Sequence, residues 1–156
     1  MEDVEVVMVP DMAVLGIRKR GHYAMIPELI MKTCIYAMER GITMTGPPIF
    51  VMHEPSAEEA MAADREGTAD VEIAIPVAGE AEGEGEVRSY TLPGGKMARI
   101  VHKGPYEACE PTYHRLFAWI AEQGKTITGP MREVYLNDPH EVRPEEILTE
   151  IYAPIS

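Results

Sequence analysis

The chain has 156 residues, 46% of them hydrophobic, and a formal net charge of −12 from 14 Lys plus Arg against 26 Asp plus Glu. That length suits one domain, or two small halves sharing a core, and the charge opposes nucleic-acid binding, because affinity for a duplex comes largely from basic side chains neutralising phosphates. No run reaches the ~20 apolar residues of a membrane span. The alternating acidic start from Met1 to Pro10 is unlike a signal peptide, so a cytoplasmic protein with no membrane partner is expected.

Glu2 to Val9 alternates like a strand, and Ala13 to Arg20 reads as a second strand ending at Gly21-His22-Tyr23. Helical spacing follows from Ile26 to Arg40: Ile26, Ile30, Thr33, Cys34 and Ala37 share one face, and Gly41 supplies the stop. Gly46-Pro47-Pro48 turns the chain into a strand at Ile49 to His53, which Glu54-Pro55 ends. Ser56 to Thr68 is polar and is predicted as a surface loop with a helical turn. Asp70 to Val77 is a strand with Pro76 in an edge-like place. The Gly/Glu stretch from Gly79 to Glu86 is expected to be a linker or long hairpin loop whose acid serves solubility.

Beyond it come a strand at Val87 to Leu92, a Gly94-Gly95 turn, a strand at Lys96 to Lys103 and then Gly104-Pro105-Tyr106. A helix from about Glu107 to Gln123 stops at Gly124. Gly129-Pro130, a strand at Met131 to Tyr135, an Asn137-Asp138-Pro139 turn and a last strand at Leu148 to Ile155 complete the chain. Cys34 and Cys109 lie in helix-like stretches and read as buried small apolar groups, not as a disulfide framework. His22, His53, His102, His114 and His140 fall in no metal-ligand pattern, and there is no phosphate loop or nucleophile elbow, so no metal or cofactor is expected.

The two halves repeat. An offset of 83 places Ile17 on Ile100, Gly21 on Gly104, Tyr23 on Tyr106, Glu39 on Glu122 and Gly41 on Gly124. Thr43, Thr45, Gly46 and Pro47 then meet Thr126, Thr128, Gly129 and Pro130, and Glu72-Ile-Ala-Ile-Pro76 echoes Glu150-Ile-Tyr-Ala-Pro154. The prediction is one α+β domain over residues 1–156, built from two tandem modules at about 1–78 and 86–156. Each runs strand, strand, helix, strand, strand, and the pair should form an antiparallel sheet with two helices flanking a central cleft about a pseudo-twofold axis. Tyr36 and Trp119 match across the offset on the two helices.

Side chains alternate along a strand, so Glu133 and Tyr135 share one face while Arg132 and Val134 take the other. If that face points inward, the carboxylate needs a partner or a cationic or electrophilic ligand. The first half has Ile49 or Phe50 in its place, depending on a one-residue gap. His102 is either a satisfied sheet residue or a cleft residue, and Tyr106 either fixes its turn, as Tyr23 does, or lines the cleft. Tyr113 lies on the helix face with Leu116, Phe117 and Ile120 and reads as core.

Taken in order, Lys103-Gly-Pro-Tyr106, the Trp119 helix, Gly129-Pro130, Arg132-Glu133-Val-Tyr135, Asn137-Asp-Pro139 and Glu150-Ile-Tyr-Ala-Pro154 resemble the GyrI-like small-molecule-binding domain. That domain is also the effector-binding domain of multidrug-sensing transcription activators. The resemblance covers nearly the whole chain and implies tandem modules, an aromatic cleft and a buried Glu, matched by Glu133. In the regulators that Glu meets lipophilic cations, some free-standing members hydrolyse strained cyclopropane electrophiles, and others have been described as inhibitors of DNA gyrase. It makes Glu133, Tyr135, Trp119, Tyr36, Phe50, Tyr106 and Tyr152 candidate ligand-binding residues. In the hydrolytic version Glu133 is the general base and Tyr135 stabilises the leaving anion. The expected ligand is a hydrophobic cation or electrophile, with a role in protection from xenobiotics; a topoisomerase or a separate regulator is the partner protein the resemblance would supply. The chain departs from the regulators in having no helix-turn-helix before Ala13, and it has two Phe and one Trp but eleven Met that can serve as adaptable walls.

Overall fold

The computed structural model describes residues 4–79 and 81–156; the start of the first expected strand, at Glu2, lies outside the described residues. In chain order the elements are β1 (Glu5–Val9), β2 (Met12–Gly21), α1 (Ile26–Glu39), β3 (Ile49–Met52), α2 (Ala57–Glu66), β4 (Ala69–Pro76), β5 (Arg88–Leu92), β6 (Gly95–Lys103), α3 (Glu110–Glu122), β7 (Met131–Tyr135) and β8 (Leu148–Pro154). The fold is α+β, with antiparallel pairing between neighbouring strands. The chain forms two compact units, Asp11–Pro93 and Gly94–Ser156 together with the segment ending at Pro10.

In the first unit, Asp11–Pro93, the strands run in the order β5-β2-β4-β3. Ile17 faces Ile73 and Leu15 faces Ile75 across the β2–β4 ladder, and all four are at most 1% exposed. Full burial of such a side chain stabilises by about 1.5–3 kcal/mol. Helix α1 turns Leu29, Thr33 and Ala37 inward, so its buried face lies to one side of the expected set. Ile26, Ile30 and Cys34 are only half-buried.

Two stretches differ from the sequence reading. Ser56 to Thr68 is not a loop but helix α2, whose start is capped by the Ser56 hydroxyl accepting from Glu59 N–H and whose end is Gly67 in the left-handed conformation. It buries none of its side chains, so no apolar period announced it. The acidic segment from Glu82 to Glu86 lies along α1. Tyr36 donates its hydroxyl to the Glu82 carbonyl at 2.6 Å, Arg40 pairs with Glu84 at 2.5 Å and Lys32 with Glu86 at 2.6 Å. Lys32, Tyr36 and Arg40 are four residues apart, so they form one row of the helix and hold the segment as a strap.

In the second unit the order is β1-β6-β8-β7. Ile100 faces Ile151, and α3 packs Thr112, Leu116 and Ile120 inward. Both long helices end alike. Gly41 and Gly124 each have φ +67, and the next N–H reaches back five residues, from Ile42 to the Ala37 carbonyl and from Lys125 to that of Ile120.

The duplication extends to single hydrogen bonds. Val77 N–H donates to the Ala13 carbonyl as Ile155 N–H does to that of Lys96, and Thr45 to Pro76 as Thr128 to Pro154. The first strand of each sequence half, however, pairs outside it: β1 joins β6, and β5 joins β2. The units change over after Pro10 and after Pro93, positions 83 apart.

Candidate functional site

Strand β7 lies beside β8, with Glu133 opposite Ile151 and Tyr135 opposite Thr149. These residues share the face on which α3 packs, because His102, opposite Thr149 on β6, bonds to Thr112 of α3. Glu133 is half-buried there. Its two carboxylate oxygens each accept a phenol. Tyr113, from the first turn and a half of α3, donates its hydroxyl to Oε2 in a short hydrogen bond, and Tyr135 donates to Oε1 at 3.0 Å. Tyr106 closes the group edge-on against Tyr135, with ring centres 5.5 Å apart, and Phe117 stands 5.9 Å from the Tyr113 ring.

The electrostatics follow from this packing. Burial, and then the neighbouring Glu133 charge, push the Tyr113 and Tyr135 hydroxyls well above the usual phenol range; the same causes raise Tyr106. Cys109, buried at the start of α3, is pushed up to about 12 by burial and then by the charge of Glu133. It is therefore a thiol, not a nucleophile, at neutral pH. The Tyr113 and Tyr135 hydroxyls are fixed as donors, and Glu133 is their common acceptor. Thr149, fully buried beside Tyr135, has no partner for its hydroxyl oxygen.

The structure thus brings together Glu133, Tyr135 and Tyr106 of the candidate residues. Tyr152 faces the other way: it is opposite Arg132 on the β7–β8 ladder, and its hydroxyl lies 3.2 Å from Glu150. Trp119 is half-buried on α3. Phe50 and Tyr36 belong to the first unit, where Phe50 packs edge-on against Tyr23 and the Tyr36 hydroxyl is held by Glu82. Phe50 lies opposite Ile73 as Glu133 lies opposite Ile151, so Phe50, not Ile49, is the counterpart of the acid. His102 is a satisfied sheet residue.

Sequence reasoning missed Tyr113. Its helical spacing with Leu116 and Ile120 argued for core, yet only its ring is core-like and its hydroxyl is spent on Glu133. The signal available was the offset, which sets Tyr113 against Ile30 just as it sets Glu133 against Phe50. A second buried acid was also missed. Glu72 is 6% exposed, between His53 Nε2 and the Tyr90 hydroxyl, each 2.6 Å away. Among the described residues, no group of three or more His, Cys, Asp or Glu could hold a metal ion, and no helix is long and apolar enough to cross a membrane.

Comparison with known proteins agrees with this architecture. The family described as the GyrI-like small molecule binding domain matches residues 2–156. The C-terminal domain of EcmrR superposes with a TM-score of 0.85 at 23% identity, over 98% of this chain and 96% of that one. Of EcmrR in its complex with DNA, this chain spans 57%. A hydrolase encoded by lin2189 from Listeria innocua gives 0.73 at 16% identity, over 99% and 92%. SAV2435 bound to tetraphenylphosphonium gives 0.57 at 14%, over 98% and 93%. At these identities the likenesses show the fold.

Proposed function

This chain belongs to the GyrI-like small-molecule-binding family, and we propose that Glu133 anchors a hydrophobic cationic or electrophilic ligand, with Tyr106, Tyr113 and Tyr135 as its aromatic surround. The observation that carries the reading is the pairing of one half-buried carboxylate with two phenol hydroxyls, one on each oxygen. Two donors hold the carboxylate in place and leave its outer lone pairs for a ligand. A lipophilic cation gains there both aromatic faces and a charge that has already left bulk water.

Tetraphenylphosphonium, the ligand of SAV2435, is the natural first probe. Glu133→Gln keeps the shape and removes the charge. Titration calorimetry should show a loss of about 2–5 kcal/mol in binding, the range for stranding one partner of a buried charged pair. Equal affinity of the two proteins would remove Glu133 as the anchor.

One feature favours a second, hydrolytic reading on the same residues. Each Glu133 oxygen already accepts from a phenol, so a proton taken from water goes to a remaining lone pair and weakens that oxygen's hold on its phenol, which is then free to donate elsewhere. Water oxygen would bond to the strained carbon of a cyclopropane-type electrophile while the ring C–C bond breaks. The released electron pair would take its proton from Tyr135, which recovers one from Glu133; the net change is addition of water. Here Glu133→Gln should still bind substrate, with turnover lower by roughly 100-fold or more in a product assay.

A further inference from the structure

The turn after β6 and the first turn of α3 carry two of the three phenols near Glu133, and a single buried imidazole grips this stretch at two points. His102 is 5% exposed. Its Nε2 lies 2.9 Å from the Pro105 carbonyl oxygen and its Nδ1 2.8 Å from Thr112 Oγ1. A carbonyl only accepts, so the proton sits on Nε2, and Nδ1 accepts from the Thr112 hydroxyl. Arg115 Nη2 donates to the same hydroxyl oxygen at 3.4 Å. Donation therefore runs one way, from Arg115 through Thr112 and His102 to Pro105. The Pro105 carbonyl also accepts from Ala108 N–H at 3.0 Å, closing the 3-10 turn that begins at Tyr106.

Tyr106 directly follows Pro105, and Tyr113 directly follows Thr112, so each phenol is one residue from an atom that His102 holds. Gly104 has φ +126, outside the range side chains tolerate, and its N–H is tied to the Ile147 carbonyl at 2.8 Å. The first unit has Lys19 and Leu29 at the matching positions, and neither could make this clamp. Its turn is held from α2 instead: Asp64 accepts from Tyr23 N–H at 2.9 Å, and its carbonyl accepts from His22 Nδ1 at 2.6 Å. The imidazole clamp occurs in the unit that carries the Tyr113–Glu133–Tyr135 group.

We propose that His102 is a positioning residue, whose two ring nitrogens set the turn from Gly104 to Thr112 so that Tyr106 and Tyr113 are presented to Glu133 in one geometry. Its effect on ligands rests on the reading of Glu133 as their anchor; its effect on the phenols does not. Such preorganisation matters because a displacement of about 1 Å in a supporting group can cost on the order of 100-fold in function.

Solution NMR of protein labelled at tyrosine Cζ tests this without a ligand, since the deuterium isotope shift there reports slowly exchanging hydroxyls. His102→Leu should move the Tyr106 and Tyr113 signals, speed Tyr113 hydroxyl exchange about tenfold or more, and weaken tetraphenylphosphonium binding by about tenfold. His102→Gln, whose amide N–H can reach the Pro105 carbonyl, should restore both to within about threefold of wild type. Thr112→Val removes only the hydroxyl and should disturb Tyr113 but not Tyr106. Wild-type tyrosine signals in His102→Leu, whatever its melting temperature, would overturn the proposal; if that variant does not fold, unchanged Tyr113 exchange in Thr112→Val does so. Tyrosine signals that respond in a protein whose wild type ignores tetraphenylphosphonium would support the clamp and count against the anchor, so the two readings fail separately.

Discussion

Glu133 and Phe50 occupy the same place in two copies of one scaffold: each follows a Gly-Pro turn, each faces an isoleucine of the neighbouring strand, and each lies near a tyrosine from the start of a helix. Their surroundings differ in a coordinated way. Where the second unit has Tyr113 and Tyr135 to donate to the acid, the first has Ile30 and Met52, which have nothing to donate. The opposite sheet face shows the reverse exchange. Glu150 is paired by Arg99, with Nε at 2.5 Å, whereas the matching Glu72 has Gly16 in place of the arginine and is met by Tyr90 and His53. Within each unit the acid comes with its own donors, so a carboxylate is retained only where its neighbours change with it.

The strongest way to break the comparison is to convert one unit toward the other. A Glu133→Phe, Tyr113→Ile, Tyr135→Met variant installs the first unit's residues on the second unit's backbone. It should fold and melt cooperatively, while tetraphenylphosphonium affinity falls roughly 100-fold or more by calorimetry. Retained affinity would move the site off this face of the second unit. A smaller effect is expected at the other face. A Cβ at Gly16 would come within 2.4 Å of the Tyr90 hydroxyl and 2.5 Å of the Ile73 carbonyl, so Gly16→Ala should cost about 1–3 kcal/mol in urea denaturation, the usual range for overpacking. A neutral result would mean that Tyr90 swings away without loss and that Glu72 does not depend on it.

The mildest test uses pH. The Tyr113 and Tyr135 hydroxyls titrate above the ordinary value of 10.0 in the fold, first because they are buried and then because Glu133 is beside them. A phenol whose folded value is raised stabilises fully below its unfolded value, and that stability is lost as pH climbs toward the folded one. Stability should therefore decline from about pH 10 upward, and less steeply in Tyr113→Phe, whose ring cannot ionise. Parallel alkaline slopes for the two proteins would contradict the role of the Tyr113 hydroxyl.

Much of the fold was legible because helix stops, Gly-Pro turns and strand alternation recur at one spacing, and Gly41 and Gly124 do end their helices in the same conformation. The Glu133–Tyr135 pair was legible because two residues along a strand always share a face. Tyr113 was not, since a tyrosine on an apolar helical stripe gives no hint of where its hydroxyl goes. Helix α2 was hidden for the opposite reason: its order comes from the Ser56 cap and the Gly67 stop, not from burial. Nor could the offset predict strand exchange. Repeats align equally well whether a first strand pairs within its own half or in the other.

That exchange governs what happens if the backbone is cut. A single nick in the strap between Glu82 and Glu86 would leave two fragments, the earlier one supplying β1 to the ladder with β6 and the later one supplying β5 to the ladder with β2. Neither fragment owns a complete sheet, so the nicked protein should travel as one particle until denaturant separates it. The two pieces made apart should each show unpaired strand edges, and on mixing they should reconstitute the binding activity of the intact chain.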